Sequence, residues 1–258
     1  ENYSRFIKKF LDWLKTNKLE SLKPHELSPD HIWQYRVFLS RHSPTSKNAT
    51  LKKSTQNYYL IALRSLLNYF ANRDIISLPA EKIKLARDKE DRQVRFLDLE
   101  KLEKLFSIPD VKKVQELRDR AILETFFSTG MRISELTSLN KEQIKIKPGT
   151  KELELAITGK GGRIRTVYFS ERAISWLGRY FETRKDNDKA LFINYRARKG
   201  SSRRLTPRYI EKMIKKYALL AGLPTFITPH VMRHSFATDL LNQGVDIRTL
   251  QEFLGHKN

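Results

Sequence analysis

Residues 228–256 read TPHVMRHSFATDLLNQGVDIRTLQEFLGH, and His230, Arg233 and His256 within them carry the most specific chemistry in the chain. Arginine offers a planar fork of donors that grips two phosphate oxygens, and histidine can give or take a proton near neutral pH. Thr228 suits a helix N-cap, Pro229 the first helical position and Gly244 the stop. His230 and Arg233, three apart, then share one helix face. Asp246 suits the cap of a second short helix whose apolar side is Ile247, Leu250, Phe253 and Leu254; Gly255 ends it and leaves His256 just beyond. Two imidazoles and a guanidinium can therefore meet at one point, and converging cations call for an anion.

Two further candidates lie upstream. Arg132, in GMRISEL, stands at an expected helix start, where its charge faces the positive end of the helix dipole. Glu135 can compensate in part and a bound phosphate can do the rest; a local Arg–Glu surface pair is the plainer alternative. Lys160, in TGKGGRIR, falls at the tip of an expected β-hairpin among three glycines that let a ligand approach the backbone. The alternative is a solvated turn lysine. Arg163 and Arg165 beside it read as grips for backbone phosphates. The P-loop pattern is absent. His230 and His234 have the spacing of the zinc motif H-E-x-x-H, but Val231 replaces the glutamate and cationic neighbours would repel a metal, so no metal is expected. His234 reads as a structural neighbour of the site.

Taken together, H-x-x-R-H-x-x-A-T at 230–238, L-G-H at 254–256, the arginine segment at 130–136 and the hairpin lysine resemble the signature of the tyrosine recombinases, the phage-type integrases, and in particular their XerC/XerD-like branch. That resemblance implies a mainly α fold with a small β-sheet (α+β), built as an N-terminal helical core-binding domain and a mixed C-terminal catalytic domain. It implies a catalytic set of Arg132, Lys160, His230, Arg233 and His256 with Glu135 in support. The reaction implied is site-specific breakage and rejoining of DNA through a 3′-phosphotyrosyl intermediate, with no cofactor. The implied partner is double-stranded DNA carrying recombination sites, bound by a homo-tetramer spanning two sites. In the family the nucleophilic tyrosine lies about nine residues past the L-G-H histidine, whereas this sequence ends at Asn258. Read as truncated, the chain is expected to bind DNA without cleaving it. A noncatalytic sequence-specific DNA-binding protein with the same fold, or a type IB topoisomerase-like enzyme, are the alternatives.

The remaining sequence must position these groups. With 258 residues, 40% of them hydrophobic, the chain can build two cores. A formal charge of +21 points to a polyanionic partner such as nucleic acid. The absence of cysteine excludes a disulfide framework, a thiolate metal site and a thiol nucleophile. No apolar run reaches the roughly 20 residues needed to span a bilayer and no signal-like segment is visible, so no membrane partner and a cytoplasmic location are expected. A chain beginning at Glu1 rather than Met reads as a fragment.

Residues 1–87 are expected to form the helical domain. Tyr3, Phe6, Ile7, Phe10, Leu11 and Leu14 make one stripe, Ser28 and Pro29 open a second helix, and Ser54 caps a third carrying Tyr59, Leu63, Leu66, Leu67 and Phe70. Residues 88–95 read as a linker and 96–258 as the catalytic domain. There Asp98 opens a short helix, and residues 114–129 form a longer one ended by Gly130. Leu153, Leu155 and Ile157 alternate as a strand that residues 163–169 pair with. A helix over about 170–183, a short strand at 191–193 and a helix opened by Thr206 and Pro207 follow. Basic and polar side chains near helix starts are candidate DNA contacts: Lys47, Lys52, Lys53, Asn57 and Arg64 in the first domain, and Arg203, Arg204, Arg208 and Lys212 in the second.

Overall fold

The computed structural model describes residues 2–41, 50–86, 96–147, 149–159, 162–198 and 200–255. The chain divides into two compact units, Glu1–Arg92 and Gln93–Asn258.

The first unit contains α1 (Asn2–Thr16), α2 (Pro29–Arg41) and α3 (Lys53–Ala71). Its core gathers Phe10, Trp13 and Leu14 of α1, Tyr35 and Leu39 of α2, and Leu60, Leu63 and Leu67 of α3. Tyr35 is the hub, with its ring 4.9 Å from Phe10 edge-on and 5.3 Å from Trp13. The expected α1 stripe is turned slightly: Trp13 is buried, whereas Tyr3 and Leu11 are exposed. Ser54 does not cap α3, which begins at Lys53 after Lys52 with no side-chain cap bond. Asn57, expected at a DNA groove, has another partner. Its Nδ2 donates to the Ala86 carbonyl at 2.9 Å and its Oδ1 accepts from the Ala86 N–H at 3.0 Å, which ties the chain after α3 back to that helix.

The second unit is mainly helical with one small sheet. Its helices are α4 (Leu99–Ser107), α5 (Val114–Thr129), α6 (Ile133–Ser138), α7 (Glu171–Glu182), α8 (Pro207–Leu220), α9 (Pro229–Asn242) and α10 (Ile247–Leu254). Strands β1 (Leu153–Thr158) and β2 (Ile164–Phe169) pair antiparallel, Leu153 opposite Phe169 and Thr158 opposite Ile164. Five of these helices start as local chemistry dictates: Asp98, Ser170, Thr206, Thr228 and Asp246 each accept a backbone N–H from the first turn. Among the described residues no helix is long and apolar enough to cross a membrane.

Helix α5 is the axis of the unit, buried on nearly all sides and packed against α4, α7, α9 and β2. A buried charge must be paired, and those of α5 are. Arg118, 1% exposed, donates to Asp119 Oδ1 at 2.6 Å, and Tyr217 of α8 donates to Asp119 Oδ2 at 2.8 Å. Glu124 accepts from Arg120 at 2.9 Å and from Arg172 of α7 at 2.8 Å.

Residues 191–193 are not a strand. The segment makes only isolated bridges, Asn140 to Ala190 and Ile193 to Arg204. Its backbone bonds are few, Leu191 N–H to the Leu139 carbonyl and Leu205 N–H to that of Phe192 among them, and two arginines add side-chain bonds around it. Arg184 donates to the carbonyls of Asp188, Ala190 and Leu191, and Arg204 donates to those of Thr137 and Leu139 at 2.7 and 2.8 Å. Arg204, a candidate DNA contact by its position, thus clamps the protein's own backbone.

Gly130 ends α5 with φ +54°, and the Phe236 ring of α9 occupies the space a side chain would need, 2.2 Å from an ideal Cβ. This close approach brings α9 across the end of α5. Gly130→Ala is expected to cost about 2–4 kcal/mol in denaturant unfolding, from the left-handed backbone and the overpacking together. Combining it with Phe236→Ala should fall short of additivity by more than about 1 kcal/mol; additive losses would mean the ring is not what the new methyl meets.

Candidate active site

The turn after Gly130 delivers Arg132 to the N-cap of α6 in extended conformation, and Glu135 at the third helical position reaches back to accept its N–H at 2.6 Å. Arg132 also donates from Nη1 to Glu135 Oε1 at 3.0 Å. From β2, Arg165 donates to the same carboxylate through both Nη atoms, at 2.9 and 2.7 Å. Glu135 therefore accepts four hydrogen bonds, all that its two oxygens can take. Burial alone would raise its pKa, but the bonds from Arg165 and Arg132 override that and hold it down at about 2.

The same arginines also grip the end of α10. Arg165 Nε donates to the Phe253 carbonyl at 2.9 Å, Arg233 Nη2 to that of Leu254, and Arg132 Nη2 to that of Gly255 at 3.1 Å. The last carbonyls of a helix lack intrahelical donors and carry the negative end of its dipole, so cations belong there. Gly255 turns the chain out of α10 at φ +62°. Arg233, buried on the first turns of α9, has Gly130 O as its other partner and no carboxylate of its own. Burial first, then the charges of Arg132 and Arg165, push its pKa down to about 10, with Glu135 opposing them.

Three guanidiniums thus face one carboxylate, a local surplus of two positive charges. A cavity of about 400 Å³ opens beside them, lined by Arg132, Arg163, Arg165 and Glu252 with Gly159 and Gly255 among others, while Arg233 stays behind its wall. The Arg132 side chain, 30% exposed, reaches it with N–H groups to spare. A larger hollow of about 1010 Å³ in the first unit is lined by Arg5, Lys8, Lys9 and Asp12 beside Phe6, Tyr58 and Tyr59.

Arg132, Arg233, Arg165 and Glu135 come together. His230 stands exposed on the first turn of α9, three residues before Arg233, and His234 is exposed one turn further on. Lys160, His256, Lys47 and the whole linker at 88–95 lie outside the described residues. Arg163, Arg208, Lys212, Lys52 and Lys53 are exposed, and Arg64 is half-buried on α3. Arg203 pairs loosely with Asp186 at 3.8 Å and lies over the Tyr195 ring. Arg165 is the departure: expected on a phosphate, it is turned inward with its side chain 8% exposed. Strand parity foreshadows this, because Arg165 shares its face of β2 with the buried Val167 and Phe169.

A sequence model of the phage integrase family matches residues 95–258. The chain belongs to that family, the tyrosine recombinases. It is 30% identical over 264 aligned positions to tyrosine recombinase XerD of Vibrio vulnificus (strain YJ016), covering 100% of this chain and 80% of that one. It is 34% identical over 243 positions to tyrosine recombinase XerA of Pyrococcus horikoshii, covering 90% of this chain and 80% of the relative. Among solved structures, XerH bound to its difH substrate before cleavage superposes with a TM-score of 0.73 at 25% identity, covering 100% of this chain and 72% of that one. This recombinase also resembles the XerA crystal structure, with a TM-score of 0.55, 25% identity, and coverage of 99% of this chain and 82% of that one.

The depressed pKa of Glu135 has a measurable consequence. Its folded value near 2 lies below the ordinary 4.5, so the stabilisation is complete above about pH 4.5 and is lost as pH falls toward 2. Over that window the recombinase should lose on the order of 3 kcal/mol that Glu135→Gln does not lose. Parallel stability-versus-pH curves for the two proteins would rule the pairing out.

Proposed function

We propose that this recombinase breaks and rejoins double-stranded DNA at specific sites through a 3′-phosphotyrosyl intermediate. The observation that carries the reading is the convergence of Arg132, Arg165 and Arg233 on one carboxylate beside a cavity that Arg132, Arg163 and Arg165 line with Glu252, since a phosphodiester is an anion with two nonbridging oxygens for arginine forks. The net charge of +21 supports a polyanionic partner, and the XerH relative was solved on a DNA substrate.

In the proposed step a tyrosine hydroxyl oxygen bonds to the scissile phosphorus while the bond from phosphorus to the 5′ oxygen breaks. The mechanism that the family resemblance implies takes that tyrosine from about nine residues past His256, a position these 258 residues do not include. Arg132 and Arg233 neutralise the nonbridging oxygens as charge builds at the pentacoordinate centre. Lys160 gives a proton to the leaving 5′ oxygen, and His230 and His256 contribute hydrogen bonds and proton transfer. The covalent link conserves the bond energy, and a 5′ hydroxyl from another duplex reverses the step and exchanges strands. Four copies on two DNA sites are the assembly this exchange calls for. Arg163, Arg203, Arg208, Lys212, Lys52, Lys53 and Arg64 would contribute affinity through phosphates, so binding should weaken steeply with salt.

The test is incubation of the product of the complete reading frame with a nicked suicide DNA site. A covalent protein–DNA adduct is expected. Arg132→Ala should reduce adduct formation by at least about 100-fold while duplex affinity stays within about threefold. No adduct with the unmodified protein would leave a noncatalytic DNA-binding protein, and equal losses of binding and cleavage would remove Arg132 from the chemistry.

A further inference from the structure

Arg132 has two side-chain partners, the Glu135 carboxylate and the Gly255 carbonyl, and Arg165 bonds the same carboxylate and the Phe253 carbonyl of the same helix end. It holds Glu135 directly, through two parallel bonds that leave the carboxylate no freedom to rotate. It holds the end of α10 through the Phe253 carbonyl, two residues before Gly255. The fit leaves little slack. An ideal Cβ at Gly255 would meet Arg165 Cδ at 3.0 Å, and one at Gly159 would meet Arg165 Nη1 at 3.1 Å and Glu135 Oε1 at 3.3 Å. Both glycines therefore close around the Arg165 side chain, whose three polar nitrogens are already engaged within the protein.

We infer that Arg165 is a positioning residue for strand cleavage: by locking Glu135 and the end of α10 it aims the Arg132 guanidinium at the scissile phosphate, and its own charge binds no DNA. This rests on the recombinase reading above. Without Arg165 the carboxylate keeps only its two bonds from Arg132, and both can swing together. A displacement of about 1 Å at a reacting centre can cost on the order of 100-fold in rate. Lysine cannot substitute, because a single ammonium does not make the planar two-oxygen contact and cannot reach the Phe253 carbonyl at the same time.

Arg165→Lys separates positioning from charge and from general stability. It is compared with the unmodified protein, as the product of the complete reading frame, on two suicide sites: an ordinary phosphodiester, and one whose scissile group is a methylphosphonate. The methyl group replaces a nonbridging oxygen and removes the charge that Arg132 neutralises, while the same bonds form and break. On the phosphodiester, adduct formation should slow about 100-fold, with duplex affinity within about threefold and the salt slope unchanged. On the methylphosphonate the deficit should shrink to under about tenfold, as it should for Arg132→Ala. Cleavage within about threefold of normal on the phosphodiester would overturn the inference, since charge alone would then suffice. So would a reduced salt slope, the mark of a lost phosphate contact, or an equal deficit on both substrates, the mark of a merely structural loss. If Arg165→Lys does not fold, the double variant Arg165→Met, Glu135→Gln, which removes the buried Arg165–Glu135 pair as a unit, is read by the same criteria. Absence of any adduct with the unmodified protein would overturn the recombinase reading and this inference with it.

Discussion

Three like charges held around one carboxylate is the constraint on which the second unit depends. Arg132, Arg165 and Arg233 come from α6, β2 and α9, and each would repel the others in the absence of compensation. The depressed pKa of Arg233 is the imprint of its burial first and of that repulsion second. Glu135 offsets part of it. The rest is offset by the unpaired carbonyls at the end of α10, which give each arginine one acceptor. Arg165 has the strongest share of the carboxylate, and Arg132 is the member of the three that lines the cavity with part of its side chain exposed. A helix of eight residues matters here less for its length than for where its last turn ends.

Such an arrangement needs a rigid frame. Helix α5 supplies it, because its buried charges are each satisfied by a neighbour: Asp119 by Arg118 and the α8 tyrosine, Glu124 by Arg120 and the α7 arginine. Sliding α5 along its axis would strand several charges at once in a poorly polarisable interior. Gly130 at its end is consequently a fixed point. The Phe236 ring seats on it, its carbonyl accepts from Arg233, and the next two residues lead to Arg132. Two site arginines 101 positions apart in sequence are thereby set from opposite sides of one glycine.

The helix starts at Asp98, Ser170, Thr206, Thr228 and Asp246, the αL stop at Gly130 and the β-hairpin were legible in the sequence by itself, and so was the convergence of Arg132, Glu135 and Arg233. The starts, the stop and the hairpin each depend on residues within a few positions of one another, so spacing and side-chain type determine them. Tertiary structure alone decided which acceptor each long side chain takes. Arg165 turned to Glu135 and Phe253, Arg204 to the Thr137 and Leu139 carbonyls, and Asn57 to Ala86, over separations of 30, 88, 67, 65 and 29 residues. An arginine or asparagine reads the same in sequence whether it faces DNA or its own backbone. The choice falls to whichever unpaired oxygen the packing buries beside it, because leaving that oxygen or that charge unmatched away from water costs more than any contact at the surface returns.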